Sequence, residues 1–207
     1  MGILEDKRRA RWFYRFLSPL YDRINPFIWN ESMRDESIGL LDIDSTDRVL
    51  DVGCGTGFAT VGLVEHADDV YGLDQSRAQL SRARPKLAGE PVQFMLGDAE
   101  RLPFPDDSFD IVWSSGSIEY WPEPVKTLAD MRRVCRPGGE VLVVGPNTPD
   151  SWVLGRLAKA IMLFYDEAEA DALFEAAGFE DVEHHLMGPS YRPEIAITTH
   201  AIVPDYS

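Results

Sequence analysis

The chain has 207 residues, of which 44% are hydrophobic and 11% aromatic, so it is long enough for one domain with a substantial core and a short extension. Its 35 acidic and 20 basic residues, only four of them lysine, give a net charge of -15, which argues against a nucleic-acid substrate and favours adaptation to high salt. Two cysteines are too few for a disulfide framework or a structural zinc cage, and no metal site is expected.

The hydrophobic pattern predicts strands and helices that alternate through most of the chain. Two helices come first, at 6–20 and 31–41. Strands are predicted at 47–52, 70–74, 92–98, 109–115, 140–147, 181–186 and 195–202. Helices are predicted at 58–67, 76–88, 123–135, 151–164 and 167–177, with Pro85 expected to end or kink the second, Pro137-Gly138-Gly139 to stop the third, and Gly178 to cap the last. This alternation indicates a parallel sheet covered by helices on both faces, and so an α/β domain at 45–207 preceded by a helical cap at 1–44.

The segment LDVGCGTG (50–57) predicts a strand that ends in a glycine turn and leads into a helix. Gly53, Gly55 and Gly57 carry no Cβ atoms, so backbone N–H groups can approach a ligand closely. Asp51 stands just before the turn, where its carboxylate can receive a cationic amino group. A nearby carboxylate would repel a pyrophosphate, so the turn favours a cofactor that carries an amino acid.

Two further acids complete this pattern. Asp74 ends the next strand 21 residues after Gly53, close to the ~20 expected for an acid that binds ribose hydroxyls. Asp98 ends the third strand, where it can accept from an adenine amine while the Ala99 N–H meets a ring nitrogen. Amino acid, ribose and adenine together describe S-adenosyl-L-methionine.

Each of these residues also has a simpler interpretation. The glycines can serve tight packing alone, Asp74 can cap the following helix, and Asp98 can form a turn. The order and spacing of all three favour the cofactor. The turn reads G-x-G-x-G, whereas a nicotinamide enzyme favours G-x-G-x-x-G, and the GK[ST] of a nucleotide-triphosphate loop is absent.

The segments LDVGCGTG (50–57), LDQS (73–76), GDAERLPF (97–104) and RVCRPGG (133–139) resemble the successive motifs of class I S-adenosylmethionine-dependent methyltransferases. The resemblance implies a Rossmann-like sheet of seven strands, mostly parallel, with the last strand antiparallel. It implies the same cofactor roles for Asp51, the glycines, Asp74 and Asp98. We expect Gln75 and Ser114 to join them, and Tyr21 to close the cofactor pocket as an aromatic YD-type element does in related enzymes.

A narrower resemblance extends from about residue 12 to 192. It rests on FYRFLSPLYDRINPFIW (13–29), MRDE (33–36), GTGFAT (55–60), LDQS (73–76), GSIEYWPEP (116–124), MLF (162–164), AGFEDV (177–182) and GPSYR (188–192). These segments are similar to those of the 2-methyl-6-phytyl-1,4-benzoquinol methyltransferases, relatives of the ubiquinone and menaquinone ring methyltransferases. The implied reaction is C-methylation of a prenylated quinol ring, of benzoquinol or menaquinol type. Two departures are Tyr165, where the family has proline, and PEIAITTHAIVPDYS after GPSYR.

Ser117, Glu119 and Tyr120 follow the fourth strand, at the face where the methyl group should emerge. Glu119 is our candidate for the base that takes a quinol proton, or for a group that orients the ring; the alternative is an exposed loop acid. His184 and His185 could also act as a base, but neighbours on a strand point to opposite faces, so a structural role is favoured for each.

The substrate tail and the membrane define a further set of expectations. Trp152, Leu157, Ile161, Met162 and Phe164 could line an apolar channel, although core packing is the favoured reading. The predicted first helix is basic over 7–15 and carries Trp12, Phe13 and Phe16, so it could lie on an anionic membrane or fold over the cofactor.

The location and the competing functions follow from the same sequence. Charges interrupt the apolar run that a secretory signal needs, so we expect a cytoplasmic protein, with contact at the membrane periphery. Competing functions are methylation of another small phenol, amine or carboxylate, a non-catalytic cofactor-binding module, and a nicotinamide reductase.

Overall fold

The computed structural model describes residues 30–148, 165–189 and 194–205. Its strands are β1 Arg48–Val52, β2 Asp69–Asp74, β3 Val92–Leu96, β4 Phe109–Ser115, β5 Cys135–Pro146, β6 Glu183–Met187 and β7 Ala196–Ile202. Its helices are α1 Glu31–Ile38, α2 Phe58–Leu63, α3 Arg77–Lys86, α4 Pro124–Val134 and α5 Glu167–Ala176, with a short 3-10 turn at Ile118–Tyr120. The helices predicted at 6–20 and 151–164 lie outside the described residues.

The strands form one sheet in the order β3-β2-β1-β4-β5-β7-β6. The first five strands are mutually parallel, and β7 runs antiparallel to β5 and to β6. The predicted seven-stranded Rossmann-like sheet with an antiparallel last strand is therefore confirmed. The strand order reverses at β1, which has β2 on one side and β4 on the other. In open α/β sheets, ligands bind outside the carboxyl ends of the strands at such a reversal.

Two apolar clusters cover the two faces of the sheet. One includes Leu50, Val112 and Val143 with residues of α4 and α5. The other includes Val49, Trp113 and Leu142 with residues of α1 and α2. Successive strand residues face opposite sides, so a strand covered on both sides needs apolar residues at consecutive positions, as at Val49–Leu50 and Val112–Trp113. Because α1 packs into the second cluster, residues 31–38 share a core with the sheet.

The boundary between α4 and β5 differs from the prediction. We expected a helix to Cys135 and a strand from 140, but α4 ends at Val134 and β5 begins at Cys135. The segment from Cys135 pairs with Phe109, with an irregularity in register before Ile111. A Cβ atom on Gly139 would lie 2.6 Å from the Asp110 carbonyl oxygen. The missing side chain of Gly139 therefore lets β5 pass close to β4, a role beyond the predicted one of ending the helix.

The other boundaries shift by a few residues. α3 continues through Pro85 and ends one residue later, because a proline in the last turn removes a single hydrogen bond. α2 ends at Leu63 instead of residue 67, and α1 ends at Ile38 with Gly39 as its cap. The cap of α5 is Ala177, one residue before Gly178. No helix within the described ranges is both long and apolar enough to cross a membrane.

Candidate cofactor and methyl-acceptor site

The turn after β1 is built from three glycines in left-handed conformations. Gly53, Gly55 and Gly57 have φ of 76°, 54° and 79°, values that L-residues with side chains rarely adopt. The N–H groups of Gly53 and Cys54 donate to the Leu73 carbonyl oxygen at 2.7 and 3.0 Å, which fixes the turn to the end of β2. Among the described residues, a Cβ atom at Gly55 would meet no atom closer than 4.0 Å, so they leave this side of the turn open to a ligand.

Gly53 also joins the turn to the loop that follows β4. A Cβ atom there would lie 2.2 Å from Ser117 Oγ and 2.7 Å from Ser117 Cβ. Ser117 Oγ in turn accepts a hydrogen bond from Trp121 Nε1 at 3.0 Å. The hydroxyl of Ser117 is thus held against the glycine turn, so the donor and acceptor sides of the predicted site touch each other.

Asp51 is a buried carboxylate at this junction. It is 1% exposed, and its Oδ2 accepts a hydrogen bond from Thr60 Oγ1 at 2.6 Å. The pKa of Asp51 is raised to about 7, chiefly by burial and less by the negative charge of Asp74, while hydrogen bonding to Thr60 opposes the rise. A carboxylate in this environment is stabilised by an added positive charge, which an amino group of a ligand would supply.

Asp74 ties the end of β2 to the glycine turn. Its Oδ2 accepts from Gly55 N at 2.9 Å and its Oδ1 from Ser76 N at 2.7 Å. Burial raises the pKa of Asp74, and these two hydrogen bonds oppose the rise. The cap of α3 is Ser76, whose side chain accepts from Gln79 N, so Asp74 does not itself cap that helix. Gln75 lies exposed between them.

The remaining predicted cofactor residues differ in exposure. Asp98 is exposed and lies two residues beyond the end of β3. Its Oδ1 accepts from Glu100 N at 3.1 Å within a tight turn, and Ala99 packs partly against the core. Ser114 is fully buried, and its hydroxyl donates to the Val52 carbonyl at 2.8 Å, which joins β4 to β1. Tyr21 lies outside the described residues.

Glu119 belongs to the 3-10 turn after β4 and is 3% exposed, so it is not an exposed loop acid. Its neighbour Tyr120 is partly buried, and burial raises the pKa of that phenol. The turn places Ser117, Glu119 and Tyr120 at the carboxyl end of β4, beside the glycine turn.

Tyr165 also belongs to this region, although in the sequence it stands out only as a departure from the resembled family. It is 1% exposed, and its backbone meets the end of β5 through Tyr165 N to the Pro146 carbonyl at 3.4 Å. Burial raises the pKa of the Tyr165 phenol, and the negative charge of Glu119 raises it further. The signal in the sequence was a tyrosine of unusual position, with nothing local to show what it contacts.

The two histidines lie on the edge strand β6, away from β4. His184 contacts Thr199 Oγ1 at 3.1 Å and Asp171 Oδ1 at 2.8 Å, which connects β6 to β7 and α5. This arrangement supports the structural role that was favoured for His184. The apolar residues proposed to line a channel, and the basic aromatic helix with residues 7–16, lie outside the described residues.

Comparison with known proteins places these observations in a family context. Residues 50–143 match the family model described as a methyltransferase domain. The 2-methyl-6-phytyl-1,4-hydroquinone methyltransferase 2, chloroplastic, of Oryza sativa subsp. japonica is 47% identical over 193 residues, which cover 91% of this chain and 56% of that protein. The chain thus spans little more than half the length of this relative.

Two other proteins extend the comparison. The demethylmenaquinone methyltransferase of Bacillus licheniformis is 29% identical, with 88% of this chain and 93% of that protein covered. A solved SAM-dependent methyltransferase from Aquifex aeolicus superposes with a TM-score of 0.70 at 19% identity, covering 91% of this chain and 97% of that one. The chain therefore has the class I methyltransferase fold, matches the methyltransferase domain model at residues 50–143, and is similar over most of its length to phytyl-hydroquinone methyltransferases.

Proposed function

We propose that the protein is an enzyme that transfers the methyl group of S-adenosyl-L-methionine to a ring carbon of a prenylated quinol, of benzoquinol or menaquinol type. One observation carries the proposal: the open glycine turn with its two acids touches, through Ser117, the loop that holds the buried Glu119. A methyl donor and a ring hydroxyl would thus meet at the reversal of the strand order. Relatives named for methylation of phytyl-hydroquinone and demethylmenaquinone support this acceptor class.

The residues present fit the three parts of the cofactor. Asp51 would bind the amino group, because its buried carboxylate gains most from a cation. Asp74 and Gln75 would bind the ribose, since each Asp74 oxygen accepts one backbone bond and keeps a second lone pair. Asp98 and Ala99, at the exposed turn after β3, would meet the adenine edge.

The bound cofactor supplies an electrophilic methyl group on a positively charged sulfur. Glu119 would take the proton of the ring hydroxyl, which enriches the neighbouring ring carbon in electrons. The methyl group would pass to that carbon, and the electron pair of the methyl–sulfur bond would stay on sulfur. Glu119 then returns its proton to the ring oxygen and the ring C–H proton leaves to solvent, so one proton is released for each methyl transferred. Holding the two reactants in line contributes much of the rate.

The test combines binding with turnover. Calorimetric titration with S-adenosyl-L-methionine and S-adenosylhomocysteine, in buffer with molar salt, should show binding that weakens at least tenfold in Asp74→Ala. Mass spectrometry should then show a single added methyl on a reduced prenyl benzoquinol or menaquinol.

The Glu119→Gln variant should lower kcat by about 100-fold or more, the range for loss of a general base. The matched control is Glu65→Gln, which changes an exposed glutamate two residues beyond the end of α2. Undiminished turnover of Glu119→Gln would remove the proposed base. Transfer to a phenol, amine or carboxylate instead of a quinol would replace the acceptor. Absence of binding by the folded wild type would overturn the whole proposal.

We also propose that the enzyme is cytoplasmic, is adapted to high salt, and meets the membrane at its periphery. The net charge of -15 with only four lysines supports the salt adaptation. The basic aromatic stretch at 7–16 supports contact with anionic lipid, where a prenylated acceptor would reside. Co-sedimentation with anionic vesicles, compared with a variant whose arginines at 8, 9 and 11 are replaced by glutamine, tests the contact.

A further inference from the structure

Tyr165 and Thr148, joined by their backbones at the carboxyl end of β5, each carry a buried hydroxyl group. Tyr165 is 1% exposed, and the Thr148 N–H donates to its carbonyl oxygen at 3.2 Å. Within the described ranges, neither Tyr165 Oη nor Thr148 Oγ1 has a hydrogen-bond partner. A buried hydroxyl without a partner is costly, so such groups in a folded protein call for a reason such as a ligand.

The Tyr165 hydroxyl lies next to the acceptor side of the proposed site. A Cβ atom on Gly145 would lie 2.6 Å from Tyr165 Oη and 2.5 Å from Ile118 Cγ2. Tyr165 and the 3-10 turn thus approach β5 at the same glycine, and Glu119 is the next residue of that turn. The missing side chain at Gly145 leaves room for this approach.

We propose that Tyr165 is a residue that binds the methyl acceptor, with its hydroxyl donating a hydrogen bond to the ring oxygen whose proton Glu119 takes. This inference rests on the proposed function for its acceptor, and it assigns a role to a residue outside the predicted site. The two residues then have separate roles: Glu119 accepts the proton, and Tyr165 stabilises the negative charge that remains on the ring oxygen.

The chemistry of the two groups suits this division. Burial and the neighbouring Glu119 raise the pKa of Tyr165, so the phenol stays protonated and remains a donor at every working pH. A donor fixed by packing before the reaction stabilises developing negative charge without reorganisation. Placing that charge on the ring oxygen is what makes the adjacent carbon nucleophilic.

The experiment uses Tyr165→Phe, which removes the hydroxyl and keeps the ring. The matched control is Tyr71→Phe on β2, which β1 and β4 separate from β5; its hydroxyl accepts from Arg48 at 2.8 Å and from Gln93 at 3.1 Å. The probes are a short-chain prenyl methylbenzoquinol, menadiol and p-cresol. Each is titrated by calorimetry into protein loaded with S-adenosylhomocysteine, and turnover is measured in parallel with the prenyl benzoquinol.

Tyr165→Phe should weaken binding of the phenolic probes and lower kcat/KM for the quinol by about 10–100-fold, the range for a hydrogen bond to a charged oxygen. The KM for S-adenosyl-L-methionine should stay unchanged, and the melting temperature should not fall. A double-mutant cycle with Glu119→Gln should be non-additive, because both groups act on one oxygen. Tyr71→Phe should leave probe binding and turnover unchanged.

The outcomes separate this inference from the proposed function. If the wild type methylates the quinol and Tyr165→Phe matches it in kcat, acceptor KM and probe binding, the inference is overturned and the proposed function stands. If the wild type methylates no quinol but binds p-cresol only with Tyr165 intact, the phenol-binding role stands and the quinol function falls.

Discussion

The contact between Gly53 and Ser117 predicts that Gly53→Ala is costly for two separable reasons. An alanine at φ 76° costs about 1–2 kcal/mol, because L-residues avoid left-handed backbone. Its Cβ atom would lie 2.2 Å from Ser117 Oγ, so the loop after β4 must move, at a cost of roughly 1–3 kcal/mol as in other overpacked sites. The free energy of unfolding should therefore fall by about 2–5 kcal/mol in total.

The matched control is Gly89→Ala. Gly89 has φ 98°, but a Cβ atom there would meet nothing within 4 Å in the part of the chain that the structure describes, so only the backbone cost of about 1–2 kcal/mol applies. Urea unfolding of both variants gives the steric cost by difference. Calorimetry should show weaker S-adenosyl-L-methionine binding for Gly53→Ala alone.

A second-site change tests the cause. Ser117→Gly removes both atoms that the new Cβ would meet, so the double variant should be more stable than the two single changes predict by about 1–3 kcal/mol. Equal destabilisation of Gly53→Ala and Gly89→Ala, or additive effects in the double variant, would refute the reasoning that this contact joins the two halves of the site.

Two further predictions concern titrating carboxylates. Because the pKa of Asp51 is about 7, a cationic ligand must displace a proton from this carboxyl group at lower pH. The affinity for S-adenosyl-L-methionine should therefore fall about tenfold per pH unit well below pH 7. Calorimetry from pH 5.5 to 8 should show an affinity for Asp51→Asn that is weaker and independent of pH. Glu140 contacts His200 Nε2 at 2.6 Å, and although burial opposes it, the hydrogen bonds from His200 and a backbone N–H hold the pKa of Glu140 below its usual range. A carboxyl group whose pKa is lowered by folding stabilises the protein at pH values above its ordinary pKa of ~4.3, and this stability is lost as the pH falls through the folded pKa. Glu140→Gln should therefore lower the free energy of unfolding by about 1–2 kcal/mol at pH 7 and make it fall less steeply in acid. The control is the exposed Glu90→Gln, and equal acid slopes in the wild type and Glu140→Gln would contradict the prediction.

The cofactor half of the site could be predicted because its signals are local. The glycine spacing after β1 and the acid after β2 lie within single strand–turn–helix units, where the chain itself dictates geometry. The boundary at Cys135 could not be read in this way, since its extended conformation follows from pairing with Phe109, 26 residues earlier. Tertiary pairing here overrides the helical pattern.

The acceptor half depends on contacts between distant segments. The turn with Glu119 has only three residues, too few for a hydrophobic period to reveal that the glutamate is buried. Tyr165 reaches the site because Gly145 has no side chain, and no pattern around either residue shows that they meet. The space left by the missing side chain of Gly145 can be recognised only once the fold brings these segments together.

The charge of the site offers a physical reason for a preference between the methylated cofactor and its demethylated product. The negative charge of Asp74 raises the pKa of Asp51 in a protein whose net charge is already -15. A ligand with a positive sulfur offsets this repulsion, and the offset is lost once the methyl group leaves and the sulfur becomes neutral. The acids therefore favour the methylated donor over the spent one, most strongly at low salt where the attraction is least screened. The ratio of the two affinities should accordingly shrink as salt rises, and an Asp51→Asn variant should show a smaller ratio with a weaker salt dependence.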